Sequence, residues 1–333
     1  MEYCVERRDT PACREAAMFA MSNAGDTEPL AVELEKISGL KVKIAEPLAR
    51  YTSMKVGGPA DYFVEVETEA ALMELLPVLN RYRESFWVLG NGSNVLISDR
   101  GVRGAIIRLA GEFKKVHWQE AGKTAKATAG AAVSIARLVR DAARRGYAGL
   151  EFAEGIPGSV GGALYKNAGA YGSEIEKIVE QVHIMTPRGE AVCLSRAEMT
   201  FSYRDAHLSF GTVVMRISMI LHKEGAAQVN ARLHDLARRR KNSQPSGFPN
   251  SGSMFRNPPA DYAGRLIDAA GLKGLRIGQC QISERHGNFI VNHGGARATE
   301  VRQLMELAKN EVREKFGIEL VPEVKLLGDW DSD

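Results

Sequence analysis

Two glycine-rich loops constrain this chain more than any other feature: Gly90-Asn91-Gly92-Ser93-Asn94 and Gly155-Ile156-Pro157-Gly158-Ser159-Val160-Gly161-Gly162. Glycine permits sharp turns and lets bare backbone N–H groups approach a bulky anion with no Cβ between them. Either loop alone reads as a turn. Together, interleaved with Ser and Asn donors, they predict a long nucleotide-type ligand gripped along a diphosphate. The dinucleotide fingerprint G-x-G-x-x-G, set between a strand and a helix, does not fit. Val95 stands where its third glycine belongs, and the residues from there on are strand-like. After the second loop, Ala163 to Gly172 is small and apolar enough for one or two helical turns. That stretch reads either as N–H groups set against a ligand or as tight packing of a short helix. Neither loop contains His or Cys, so covalent attachment of a cofactor there is not expected.

A chain of 333 residues can bury a large core and form two or three domains. The net charge of +3 calls for neither nucleic acid nor a membrane surface as a partner. Cys4, Cys13, Cys193 and Cys280 show no metal-ligand spacing and no disulfide framework, so no metal site is expected and a reducing, cytoplasmic setting is. Residues 1–40 read as an N-terminal extension; its first 30 or so suggest a frayed helix, too charged for a signal peptide and with no assignable chemistry. Alternation predicts strands at Tyr62–Val66, Phe86–Leu89, Val95–Ile97 and Ala105–Leu109, with Thr68 capping a helix through Leu72, Leu75, Leu76 and Leu79. This first α+β unit spans 41–110. A second, 111–221, holds a strand at Ala125–Ala129, a helix at Ser134–Arg145 stopped by Gly146, and strands at Val179–Met185, Ala191–Leu194 and Thr212–Leu221. A third, 222–318, has helices at Gln228–Arg240, Tyr262–Ala270 and Thr299–Phe316 and a strand at Asn288–Val291. A last strand, Glu319–Leu327, lies in the tail 319–333. The basic run Arg238–Lys241 ends a helix, which favours cations there; an anionic substrate group is the sharper alternative.

Tyr51-Thr52-Ser53-Met54-Lys55-Val56-Gly57-Gly58-Pro59-Ala60, the two loops and Asn167-Ala168-Gly169-Ala170-Tyr171-Gly172 form an ordered set that resembles the UDP-N-acetylenolpyruvoylglucosamine reductase family. The resemblance runs from about residue 40 to 328. It implies an α+β fold: a two-subdomain FAD-binding domain of the vanillyl-alcohol-oxidase (PCMH) type, then a C-terminal α+β domain for the sugar nucleotide. Noncovalent FAD, NADPH as hydride donor and a UDP-sugar substrate follow from it, with no obligate protein partner. Gly57, Gly58, Gly90, Asn91, Gly92, Ser93, Asn94, Gly155, Ile156, Pro157, Gly158, Ser159, Gly161, Gly162, Asn167, Ala168 and Gly169 are the expected cofactor residues.

The family's reaction sends hydride to the CH2 of an enolpyruvyl ether and a proton to the adjacent carbon. It needs a cation at the carboxylate and a positioned acid. By motif match, Arg204 in Phe201-Ser202-Tyr203-Arg204-Asp205 is the carboxylate clamp, Ser253 in Asn250–Pro258 the proton donor, and Glu323 in Leu320–Val324 its orienting or relaying partner. Taken alone, Arg204 beside Asp205 reads as a local ion pair, Ser253 as a turn residue and Glu323 as a solvent-facing strand residue. Tyr203, Lys241, Asn257 and His286 are candidate substrate contacts; His286 reads equally as a surface histidine before a strand. Where many relatives have Lys after the aromatic of the serine motif, this chain has Arg256. About fifty residues separate Arg204 from Ser253, which resembles the shorter subclass (type II-like), without an extra tyrosine loop over the substrate. Two alternatives stand beside this reading: an FAD-dependent sugar or alcohol oxidase of the same fold, and a non-catalytic nucleotide-binding protein.

Overall fold

The computed structural model describes residues 2–4, 27–209 and 211–330. Most of the expected extension, with Cys13 and the Met18–Met21 stretch, lies outside them. The extension is nonetheless shorter than 1–40. Helix α1 (Thr27–Glu35) sinks Leu30 and Leu34 into the core.

A five-stranded sheet comes first, in the order β1 (Glu2–Cys4), β4 (Phe86–Leu89), β6 (Val102–Leu109), β3 (Pro59–Val66), β2 (Leu40–Pro47). Both β3 and β4 run parallel to β6, so β3 and β4 need a crossover, which helix α2 (Glu69–Arg81) supplies. Thr68 caps that helix as expected, its hydroxyl accepting the Ala71 amide at 3.1 Å, and Leu72, Leu75, Leu76 and Leu79 are buried. Pro77, inside α2, cannot bond back to the Met73 carbonyl. Gly189, from a neighbouring hairpin, packs there so closely that a Cβ would lie 2.5 Å from that oxygen.

The second sheet is antiparallel, in the order β13 (Ala191–Ser195), β12 (Val179–Met185), β14 (Val213–Lys223), β8 (Thr124–Gly130), β7 (Val116–Ala121). The short β9 (Tyr147–Ala148) pairs with the far end of β14, and β10 (Gly169–Ala170) and β11 (Ser173–Glu174) form a separate two-stranded hairpin. Helix α3 (Ile135–Arg145) buries Ile135, Leu138, Val139 and Ala142 and ends on Gly146 at φ +75°, where a side chain would be strained. One apolar core runs under both sheets. Sequence periodicity missed β7, whose residues are mostly exposed and carry little alternation.

Beyond β14 the chain is mostly helical: α5 (Ala226–Ser243), α6 (Ala263–Ala269) and α7 (Ala298–Phe316), with a small sheet of β15 (Arg276–Ile277), β16 (Cys280–Ile282) and β17 (Ile290–Asn292). The last strand corrects the expectation. Only β18 (Lys325–Leu327) is extended, because Pro322, held in an isolated bridge to Phe255, interrupts any ladder before it. β18 then returns across the molecule to pair in parallel with β5 (Val95–Ile97), directly after the first glycine loop. No helix among the described residues is long and apolar enough to cross a membrane.

Candidate active site

The two glycine loops meet. Gly158, at φ +119°, lies where a Cβ would stand 2.9 Å from the Ser93 hydroxyl. Gly92, at φ +59°, admits the Tyr51 carbonyl within 2.2 Å of its missing Cβ, and its own carbonyl takes the Ser53 amide at 2.8 Å. A side chain at Gly158 would push the two loops apart, and one at Gly92 would collide with the Tyr51–Thr52 backbone. Beside this junction opens a cavity of about 580 Å³, lined by Ser93, Asn94, Gly155, Ile156, Pro157, Ala168 and Gly169 among others. A smaller cavity takes in Gly90, Asn91 and Ser159 together with Arg108 and Lys114.

Seven of the expected cofactor residues line neither cavity, and each has a structural occupation. Gly57 packs on Ile97, and Gly58 on the Asp99 carbonyl. Gly158 makes the junction between the loops, and Gly92 packs on the Tyr51 carbonyl. The Gly161 amide bonds the Ala131 carbonyl, and the Gly162 amide is capped by the Ser159 hydroxyl at 3.3 Å, within the short helix α4 (Val160–Tyr165), which the structure does form. Asn167 spends its side chain inward. It accepts the Glu176 amide at 3.1 Å and donates to the Ser202 carbonyl at 3.3 Å.

That last bond matters for Arg204. Ser202 and Asp205 exchange backbone hydrogen bonds around a tight turn, which leaves Arg204 at φ +63°, a strained place for a side-chain-bearing residue. Asn167 ties the turn to the glycine-loop helix. Nη1 of Arg204 donates to the Gly169 carbonyl at 3.0 Å, and Nε lies 3.4 Å from a Glu323 carboxylate oxygen without a hydrogen bond. The local ion pair with Asp205 is not made; Asp205 instead accepts the His207 amide.

Ser253 and Glu323 come from chain segments laced together. Glu323 donates its amide to the Met254 carbonyl at 2.8 Å, and Met254 donates its own to Asn288 at 2.9 Å. Asn94, from the first glycine loop, donates its side-chain amide to the Glu323 carbonyl at 3.1 Å and accepts the Lys325 amide at 2.9 Å. Glu323 therefore faces the cavity, its side chain 13% exposed, instead of pointing to solvent. The hydroxyl of Ser251 is buried against Ser53 and the Val95 carbonyl, whereas that of Ser253 makes no hydrogen bond among the described residues.

Arg204, Ser253 and Glu323 line the same cavity, with Tyr203 and Lys241 as exposed residues of its wall. Asn257 lines it too, but its side-chain oxygen caps α6 by accepting the Ala263 amide. His286 is a correction: it does not line the cavity. It packs edge-on to Phe289, accepts the Asn288 amide and fills the space beside Gly264, and burial lowers its basicity. The basic run splits. Arg238 and Arg239 pair with Asp235 at the surface. Arg240 turns into the cavity wall and donates to the Glu154 carbonyl and to Gln244, and burial pulls its pKa down. Lys166 was not expected in the site at all, yet it lines the cavity.

A protein named UDP-N-acetylenolpyruvoylglucosamine reductase 2 from Symbiobacterium thermophilum is 42% identical over 290 residues, 86% of this chain and 92% of that protein. The chain belongs to the UDP-N-acetylenolpyruvoylglucosamine reductase family. The reductase of Bacillus subtilis is 40% identical over 90% of this chain and 99% of its own length. The crystal structure of the Thermus caldophilus enzyme superposes with a TM-score of 0.75 at 38% identity, covering 86% of this chain and 98% of that one. Two family models match: the C-terminal domain of this reductase over residues 244–327 and an FAD binding domain over 60–195. The α+β fold class and FAD as cofactor stand on these matches. The residues present suit that group. A glycine-lined junction without Cβ atoms, two cations beside the smaller cavity and the amide and hydroxyl donors of Asn91, Ser93 and Ser159 match a diphosphate-bearing flavin.

Proposed function

We propose that this chain reduces UDP-N-acetylenolpyruvoylglucosamine to UDP-N-acetylmuramate for peptidoglycan precursor synthesis in the cytoplasm, drawing hydride from NADPH. The single observation that supports this most is the convergence of Arg204, Ser253 and Glu323, from three distant segments, on one cavity shared with the glycine loops. Gly90, Asn91 and Ser159, with Arg108 and Lys114, would hold the FAD diphosphate; Ser93, Asn94, Gly155, Ile156, Pro157, Ala168 and Gly169 would hold the flavin end. Segments 41–110 and 111–221 thus serve the cofactor and 222–318 the sugar nucleotide, while the tail 319–333 returns Glu323 to the site. When bound there, FAD would supply the hydride relay between NADPH and the enolpyruvyl CH2.

The chain's own residues do the rest. The Arg204 fork, its Nε making no hydrogen bond within the protein, receives the substrate carboxylate and holds the charge that grows there. Ser253 gives its proton to the carbon bearing that carboxylate. A serine hydroxyl is a poor acid, so the resulting alkoxide needs the cations nearby and a proton returned through Glu323. Lys241 and Tyr203 meet the diphosphate and sugar.

The test separates two half-reactions. Ser253→Ala is expected to keep flavin reduction by NADPH while slowing product formation by about 10²–10⁴-fold. Full turnover by the variant would remove Ser253 from its role. NADPH oxidation in the wild type that depends on oxygen and ignores the enolpyruvyl sugar would sink the reductase reading in favour of an oxidase.

A further inference from the structure

Lys166 follows the last turn of α4 and belongs to no motif that marks it for chemistry. In the fold it lines the large cavity beside Arg204 and Glu323. Its ammonium makes no hydrogen bond and no ion pair among the described residues. The charged groups facing it are Glu323 and Asp205 on one side of the balance, and Arg256 and Lys325 on the other. Neither carboxylate is free to serve it. Glu323 is already engaged by Arg204, and Asp205 by the His207 amide.

The corner therefore holds surplus positive charge. Lys166 and Arg204 line the cavity with Glu323, the Arg256 charge opposes that of Lys166, and the Nε atoms of Arg204 and Arg256 are both buried without a hydrogen-bond partner. Half-buried cationic groups with donors left unsatisfied cost free energy unless something anionic completes them. Their hydrogen-bonding capacity exceeds what the protein itself satisfies.

Building on the function proposed above, we infer that Lys166 is a second catalytic cation. Its ammonium joins the Arg204 guanidinium on the substrate carboxylate and holds the negative charge that develops as hydride reaches the neighbouring CH2. The roles divide by shape. The Arg204 fork fixes the plane of the carboxylate, while a lysine is a compact point charge that can follow the charge as it moves onto the oxygens. No bond to Lys166 forms or breaks: hydride goes to the CH2 carbon, the proton comes from Ser253, and the ammonium keeps its protons. That requires a charged lysine. Burial holds its pKa below the ordinary lysine range, opposed by Glu323.

The decisive measurement compares the two half-reactions in the FAD-loaded wild type, Lys166→Met and Lys166→Arg. Lys166→Met is expected to bind FAD and to be reduced by NADPH as fast as the wild type. Its reoxidation by the enolpyruvyl sugar should slow on the order of 100-fold. Lys166→Arg should restore much of that rate and move the alkaline limb of the kcat/KM profile to higher pH. Reoxidation of Lys166→Met within about threefold of wild type overturns the inference and leaves the reductase reading standing. An equal loss in both half-reactions also overturns it, since that marks a structural or flavin-directed role. A wild type that the enolpyruvyl sugar cannot reoxidise overturns the function, and the inference with it.

Discussion

Burial and the neighbouring Asp61 push the Glu84 carboxyl up to about 7. The folded protein thus holds this proton more tightly than the unfolded chain, where a glutamate ionises near its ordinary pKa of about 4.3. Between those values the unfolded state binds fewer protons, so stability is present in full below about pH 4.3 and falls as pH rises through 7. Glu84→Gln is expected to raise the melting temperature at pH 8, by about 1–3 kcal/mol in stability, with no gain at pH 4; equal shifts at both pH values would refute this. Arg204, Ser253 and Glu323 were marked in the sequence by their motifs, and they do meet at one cavity. Lys166 and Arg240 were not, because nothing in a run of basic or small residues says which side chain turns inward. Asn167 shows the converse. Its motif suggested a ligand contact, and the fold spends its amide on the turn that strains Arg204.

Among the elements, α2 was the plainest in the sequence, its cap and apolar spacing both readable within a few residues. Thr68→Ala is expected to cost about 1 kcal/mol, read as a lower melting temperature with unchanged flavin content. A change below about 0.3 kcal/mol would mean that the cap bond is idle. The last strand was the poorest reading. Alternating apolar residues from Leu320 to Leu327 suggested one long strand, but a proline and a bridge to Phe255 divide it, and that break turns Glu323 inward. Local pattern cannot foresee this, since the partner that bends the segment lies almost seventy residues earlier.

For the molecule as a whole, the bond between Asn94 and Glu323 joins the first glycine loop to the segment that brings Glu323 to the cavity. Asn94→Ala is therefore expected to weaken FAD retention and to slow reoxidation by the enolpyruvyl sugar as well. Measuring bound flavin and the second half-reaction on one preparation checks both, and loss of flavin alone would show that Glu323 stands without it. The same geometry sets a timetable for making the protein. Val95 pairs with Lys325, about 230 residues later. At ordinary synthesis rates of about 5–20 residues per second, the strand after the first glycine loop waits about 10–50 s for its partner. Throughout that wait the large cavity lacks Glu323. A ribosome stalled earlier would carry both glycine loops with no Glu323 beside them.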